Sequence, residues 1–179
     1  MSHDANSPRA ARHRALFSYF DVTRDGVLDV SDFVAITQRA SSFLPAGAPP
    51  SDEVLHAAKV RLAWFRKADV DGDLRVTEDE WAAHCAKEFA GGSLSQEAEA
   101  FARAFFRALD ADQDTSIDFG DYAYAHLAHG RNPTAEALLA GFRALDTNGS
   151  GRVSMAEFLA AYTRFVASDD PDAPGFLVG

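Results

Sequence analysis

At 179 residues with 47% apolar side chains, the chain is long enough for one solid core or two small lobes and too apolar to stay disordered. A formal charge of −10 argues against nucleic-acid binding, and a single cysteine, Cys85, excludes an internal disulfide. No apolar run approaches the roughly 18 residues of a membrane-crossing helix, and MSHDANSPRAARHR lacks the apolar core that directs secretion, so a cytoplasmic setting away from membranes is expected.

Along the chain, RAARHR reads as a short basic flank that solvates a first helix, whose Leu16/Phe17 pair begins a core-facing stripe. DVTRDGVLDVSD follows, with oxygen-bearing side chains at Asp21, Thr23, Asp25, Asp29 and Asp32 and a glycine at Gly26. Such side chains at alternate positions converge if the chain curls, and a hard cation needs about six to eight oxygens at 2.3–2.6 Å. Gly26 supplies the bend, since glycine takes φ > 0 without steric cost, and the Val27 carbonyl adds an oxygen whatever its side chain. Asp32 stands at position twelve, where a glutamate would reach across with two oxygens. One methylene shorter, it weakens Ca²⁺ closure and relatively favours six-coordinate Mg²⁺.

The three prolines of SSFLPAGAPPSDE break the chain and restart a helix near Ser51 and Asp52, which carries Trp64/Phe65 toward a second window, DVDGDLRVTEDE. Two registers compete there. Gly72 as the bend would put Lys67 in the first ligand position, which a cation would reject, so the window is read from Asp69. A start at Asp69 aligns Asp71, Asp73, the Arg75 carbonyl, Thr77 and Glu80, but puts Leu74 at the bend, at about 1–3 kcal/mol of strain. Cys85 reads as a small residue on a packed helix face. Gly91-Gly92 ends the first half, and Ser93 or Ser95 caps the next helix.

Phe105/Phe106 precede the third window, DADQDTSIDFGD, which offers Asp110, Asp112, Asp114, the Ser116 carbonyl, Asp118 and Asp121, with Thr115 at the bend. HGRNPTAE joins it to a last unit with the weaker pair Gly141/Phe142 and the window DTNGSGRVSMAE. This fourth window fills every position: Asp146, Asn148, Ser150, Gly151, the Arg152 carbonyl, Ser154 and Glu157. The pattern is that of the EF-hand loop.

The windows hold 17 of the 27 acids and three of the 17 bases, so they carry −14 and the rest of the chain +4. The acidity belongs to the loops. Position eight is aliphatic each time (Leu28, Val76, Ile117, Val153) and an aromatic follows position twelve (Phe33, Trp81, Tyr122, Phe158). The expectation is an all-α fold: four helix–loop–helix units in two pairs, residues 1–91 and 92–179, packed into one globule with short β-ribbons between paired loops.

The four-unit layout, stretched first interval and glycine-broken middle joint resemble calerythrin and the sarcoplasmic calcium-binding proteins over roughly residues 10–167. The resemblance implies a compact, cytosolic, mostly helical binder of calcium ions acting as a buffer or reservoir, in a family where some loops, often the second, have lost metal. A monomer is expected. The alternative is a sensor that exposes apolar surface to a protein target. Against it stand only two methionines, Met1 and Met155, and 14 phenylalanines, which suit a closed core. His126 and His129 stand i, i+3 without a third ligand and read as a packed or solvated face. No nucleophile elbow, phosphate loop or CxxC suggests an enzyme. The terminal FLVG either folds back over an apolar pocket or frays.

Overall fold

A computed structural model describes residues 7–42, 52–110, 112–173, 175 and 177. Eight α-helices lie among them. The first half contains α1 (Pro8–Phe20), β1 (Val27–Leu28), α2 (Val30–Ser42), α3 (Asp52–Ala68), β2 (Val76–Thr77) and α4 (Glu78–Glu88). After a 3-10 turn at Ala90–Gly92 come α5 (Gln96–Leu109), β3 (Ser116–Ile117), α6 (Phe119–Ala128), α7 (Ala135–Leu145), β4 (Val153–Ser154) and α8 (Met155–Ala167). The proline-rich connection before Asp52, including Ser51, lies outside the described residues. No described helix is long and apolar enough to cross a membrane.

Local chemistry sets the helix ends. Ser7 caps α1, accepting the Ala10 N–H at 3.1 Å, with Pro8 in the first turn, where its missing N–H costs nothing. Of the two serines expected to cap α5, Ser95 does so, accepting from Ala98 N–H. Gly91 and Gly92 both take positive φ (74° and 80°), so the glycine pair turns the chain between the halves.

The position-eight residues pair as expected. Leu28 lies opposite Val76 and Ile117 opposite Val153 in two antiparallel two-stranded ribbons, joining the first loop to the second and the third to the fourth. The aromatic stripes then fuse the halves. Phe20 of α1 contacts the rings of Phe65, Trp81, Phe101 and Phe105, and Trp64 of α3 stacks on Phe101 of α5 at 5.1 Å. Each fully buried ring stabilises by about 1.5–3 kcal/mol relative to exposure. The exposed Lys67–Glu97 ion pair, which also joins α3 to α5, contributes little by comparison. Cys85 is fully buried, the small packed residue anticipated.

The basic flank corrects the expectation that it merely solvates α1. Arg12 donates to the carbonyls of Phe165 (2.6 Å), Ser168 and Asp170 (2.9 Å), clamping the end of α8. His13 is buried, donates through Nε2 to the Val166 carbonyl at 2.7 Å and passes its own carbonyl to Trp81 Nε1–H at 2.9 Å. The first helix is thereby tied to the last. Of the terminal FLVG, Leu177 is described and packs against the core beside Tyr122, Leu145 and Phe158; Phe176, Val178 and Gly179 lie outside the described residues.

The histidines near the end of α6 are packed. Each donates through Nδ1 to the carbonyl four residues earlier, His126 to Tyr122 and His129 to Ala125, and His129 stacks on Tyr19 at 4.2 Å. Burial, reinforced by the nearby Arg61 charge, pushes the His129 pKa from 6.5 down to about 3. The unfolded chain therefore binds more protons between those values, so this stabilisation is complete above pH 6.5 and lost as pH falls toward 3. Urea unfolding of chelator-treated protein between pH 7 and 4 should show stability falling by up to about 1.4 kcal/mol per pH unit from this residue, with His129→Gln shallower. Equal slopes for the two proteins would refute it.

Candidate metal centres

Each window begins where an entering helix ends. The backbone N–H of Asp21, Asp69, Asp110 and Asp146 donates to the carbonyl of Phe17, Phe65, Phe106 and Phe142, closing the last turn. The carboxylate of that same aspartate then captures loop N–H groups. One oxygen accepts from position six in every loop: Gly26 (3.1 Å), Leu74 (3.0 Å), Thr115 (3.0 Å) and Gly151 (2.8 Å). The other accepts from position five in loops one, three and four (Asp25, Asp114, Ser150), and from Gly72 in loop two.

An N–H turned inward at position six requires left-handed backbone, and φ is +84°, +68°, +73° and +80° in chain order. Position four is left-handed as well: Arg24, Gly72, Gln113 and Gly149. This settles the register of the second window. Gly72 serves position four, Leu74 makes the bend, and Lys67 stays in α3, paired with Glu97.

Positions nine and twelve act on the exiting helix. Thr77, Asp118 and Ser154 are the N-caps of α4, α6 and α8, and Glu80, Asp121 and Glu157 complete reciprocal capping boxes. In loop one Asp29 accepts from Ser31 N–H and hydroxyl, while Asp32 Oδ2 accepts from Asp29 N–H at 3.1 Å. The closing carboxylate also reaches across to the loop's start. Asp32 Oδ1 accepts from Val22 and Thr23 N–H, Glu80 Oε1 from Val70 N–H, and Glu157 Oε1 from Asn148 N–H and the Thr147 hydroxyl. The position-seven residues Val27 and Ser116 lie in the ribbons, and Arg75 and Arg152 immediately precede them.

In loop two the carboxylates of Asp69, Asp71 and Asp73 offer oxygens within 4.8 Å of one another, and in loop three those of Asp110, Asp112 and Asp114 do the same. Loop four has only Asp146 and Glu157 as carboxylates, supplemented by Asn148, the Ser150 hydroxyl, which donates to the Arg152 carbonyl at 2.8 Å, and Ser154. The donors are oxygens throughout, without sulfur or imidazole, so the sets fit a hard cation such as Ca²⁺ or Mg²⁺ rather than zinc.

The closing residues divide by length. Glu80 and Glu157 are half-buried, and the backbone N–H of Thr77 and of Ser154 holds each below its ordinary carboxylate pKa. Asp32 is buried, which pushes its pKa up despite the hydrogen bonds from Thr23 and Asp29. Asp110 is likewise raised by burial. Asp114 is lowered by Ser116 and then by Arg152, which reaches it from loop four. That cross-loop arginine was not singled out in the sequence. Only the ribbon register, which sets position seven of one loop beside the other, could have signalled it.

The EF-hand domain pair model matches residues 99–163, and an EF-hand model matches residues 14–36. These are EF-hands, and the fold built on them is that of a calcium-binding EF-hand protein. A calcium-binding protein of Streptomyces coelicolor superposes with a TM-score of 0.69 at 25% identity, over 89% of this chain and 98% of that one. The amphioxus sarcoplasmic calcium-binding protein gives a TM-score of 0.70 at 16% identity, covering 94% of each, a likeness of fold. Oryza sativa subsp. japonica "Probable calcium-binding protein CML16" is 29% identical over 164 residues, 92% of this chain and 84% of its own. The chain is thus like the sarcoplasmic calcium-binding proteins in architecture, as the spacing of its loops implied.

An added Cβ at Gly26 or Gly151 would meet nothing within 4 Å, so replacing either costs backbone strain alone. Gly151→Ala should lower stability by about 1 kcal/mol, whereas Leu74→Gly and Thr115→Gly should each raise it by roughly 0.5–1 kcal/mol as left-handed strain is relieved. Denaturant midpoints in chelator measure this, and a loss on Thr115→Gly would contradict the strain argument.

Proposed function

We propose that this chain is an intracellular calcium buffer, a monomer of two loop pairs (1–91 and 92–179) that holds Ca²⁺ in its windows without catalysing a reaction or recruiting nucleic acid or membrane. Ligands in loops four and one would be those of the Asp146 and Asp21 windows. Loops two and three would use the Asp69 and Asp110 windows, with Mg²⁺ competing where aspartate closes the loop, at Asp32 and Asp121.

The observation that carries the buffer reading is the shared core. The aromatic faces that a sensor would uncover are buried between the halves, Phe101 against Trp64 and Phe105 against Phe20, so opening one pair would break the other. Met155 is only partly buried at the edge of that core and forms no methionine-lined groove.

One observation favours the sensor. Val30 and Leu74 are largely exposed beside a shallow apolar groove lined by Leu28, Phe33, Leu62 and Phe65. The Streptomyces coelicolor protein is itself described in terms of calcium-mediated regulation.

Calorimetric titration with Ca²⁺, repeated in millimolar Mg²⁺, should show binding at more than one loop, with Glu157→Gln removing or strongly weakening one site. Unchanged binding by that variant would refute the loop-four assignment. Addition of a hydrophobic dye should give little calcium-dependent rise; a large rise would replace the buffer by the sensor. Trp64 and Trp81 flank loop two, so tryptophan fluorescence that stops changing once the other sites fill would mark that loop as empty.

A further inference from the structure

In both halves an arginine of one loop stands by the position-five acid of its neighbour, hydrogen-bonded to it in the second half and at the edge of ion-pair distance in the first. Arg152, at position seven of loop four, donates through a terminal guanidinium nitrogen to Asp114 Oδ2 and, at 2.7 Å, to the Ser116 hydroxyl of loop three. Arg75, at position seven of loop two, stands with its guanidinium 3.9 Å from Asp25 Oδ2 of loop one. Asp114 and Asp25 both hold position five of their windows, and each offers its other oxygen, Oδ1, to loop N–H groups. The reverse contact does not exist, because position seven of loops one and three is Val27 and Ser116.

We propose that Arg152 and Arg75 are built-in counter-charges that weaken cation binding at the third and first loops and make those loops fill after their partners. This rests on the reading of the windows as cation sites. Arg152 takes Asp114 Oδ2 while Oδ1 accepts the Ser116 N–H within its own loop, so one carboxylate oxygen stays clear of the arginine, which sets a positive charge one carboxylate away from the cation. A fixed unit charge at such a distance weakens a divalent ion by about three- to tenfold in low salt, and the effect fades as salt screens it.

Both arginines act on loops closed by aspartate, Asp32 and Asp121, so short closure and counter-charge work in the same direction. In loop three the arginine opposes five acids at ligand positions, Asp110, Asp112, Asp114, Asp118 and Asp121, more than any other window carries there. Position seven contributes only its carbonyl to its own loop, so replacing the side chain leaves the donor set of loops two and four intact.

The Thr115 and Gly151 amides, each bonded to its loop's first aspartate, report loops three and four separately by NMR. Calcium-buffered titrations in about 10 mM salt should show Arg152→Gln tightening loop three by about three- to tenfold, with loop four changed much less. Arg152→Lys should stay near the parent protein, and the gain should vanish near 1 M salt. An unchanged or weaker loop three in Arg152→Gln overturns the proposal, as does an equal gain at both loops, which would reflect net charge alone. A Thr115 amide that ignores calcium in the parent protein overturns the cation reading of loop three itself, a separate failure.

Discussion

The structure depends on how an aspartate at the end of a helix satisfies its carboxylate. In all four loops its two oxygens draw in N–H groups from the next few residues, always including position six. That pair of bonds curls the chain, and in loops two and three, three carboxylates come within 4.8 Å of one another. It also dictates left-handed backbone at position six, whether the residue there is suited to it (Gly26, Gly151) or not (Leu74, Thr115). The curled loop is thus specified by hydrogen bonding, and its charge is what a divalent cation would neutralise.

The second layer of organisation joins loops to core. Positions nine and twelve cap the exiting helix, position eight pairs with the neighbouring loop, and the aromatic after position twelve enters the core: Trp81, Tyr122 and Phe158 are almost completely buried. A change in loop geometry is transmitted directly to packed rings. Because those rings meet across the midline around Phe20 and Phe101, a lobe cannot open without disturbing the other. That coupling is what the proposed buffer reading rests on. Arg12 and His13 reinforce it by fixing the first helix to the last.

Electrostatics within each pair are unequal. The even loops lend a guanidinium to the odd ones, the odd loops are closed by the shorter carboxylate, and the even loops are closed by half-buried glutamates whose pKa backbone donors lower. Repeats that look alike in outline therefore differ in charge and in how firmly they close. Loop two adds a strained Leu74 in place of glycine, and its window lies outside both segments matched by EF-hand models.

Much of this was legible in the sequence because its determinants are local. Alternating oxygens, a bend residue, an aliphatic at position eight and aromatic stripes at helical spacing fix helix–loop–helix units within some thirty residues, and four in a row require pairing. In loop two the sequence already favoured the register that starts at Asp69, because the alternative puts Lys67 in the first ligand position; the left-handed Leu74, bonded to the Asp69 carboxylate, has that register. The sequence misjudged the basic flank, because a run of arginine and histidine looks solvated until α8 supplies carbonyl acceptors about 155 positions away. It also did not show the cross-loop arginines. Strand register is a property of two segments together, and only the folded chain sets Arg152 on Asp114.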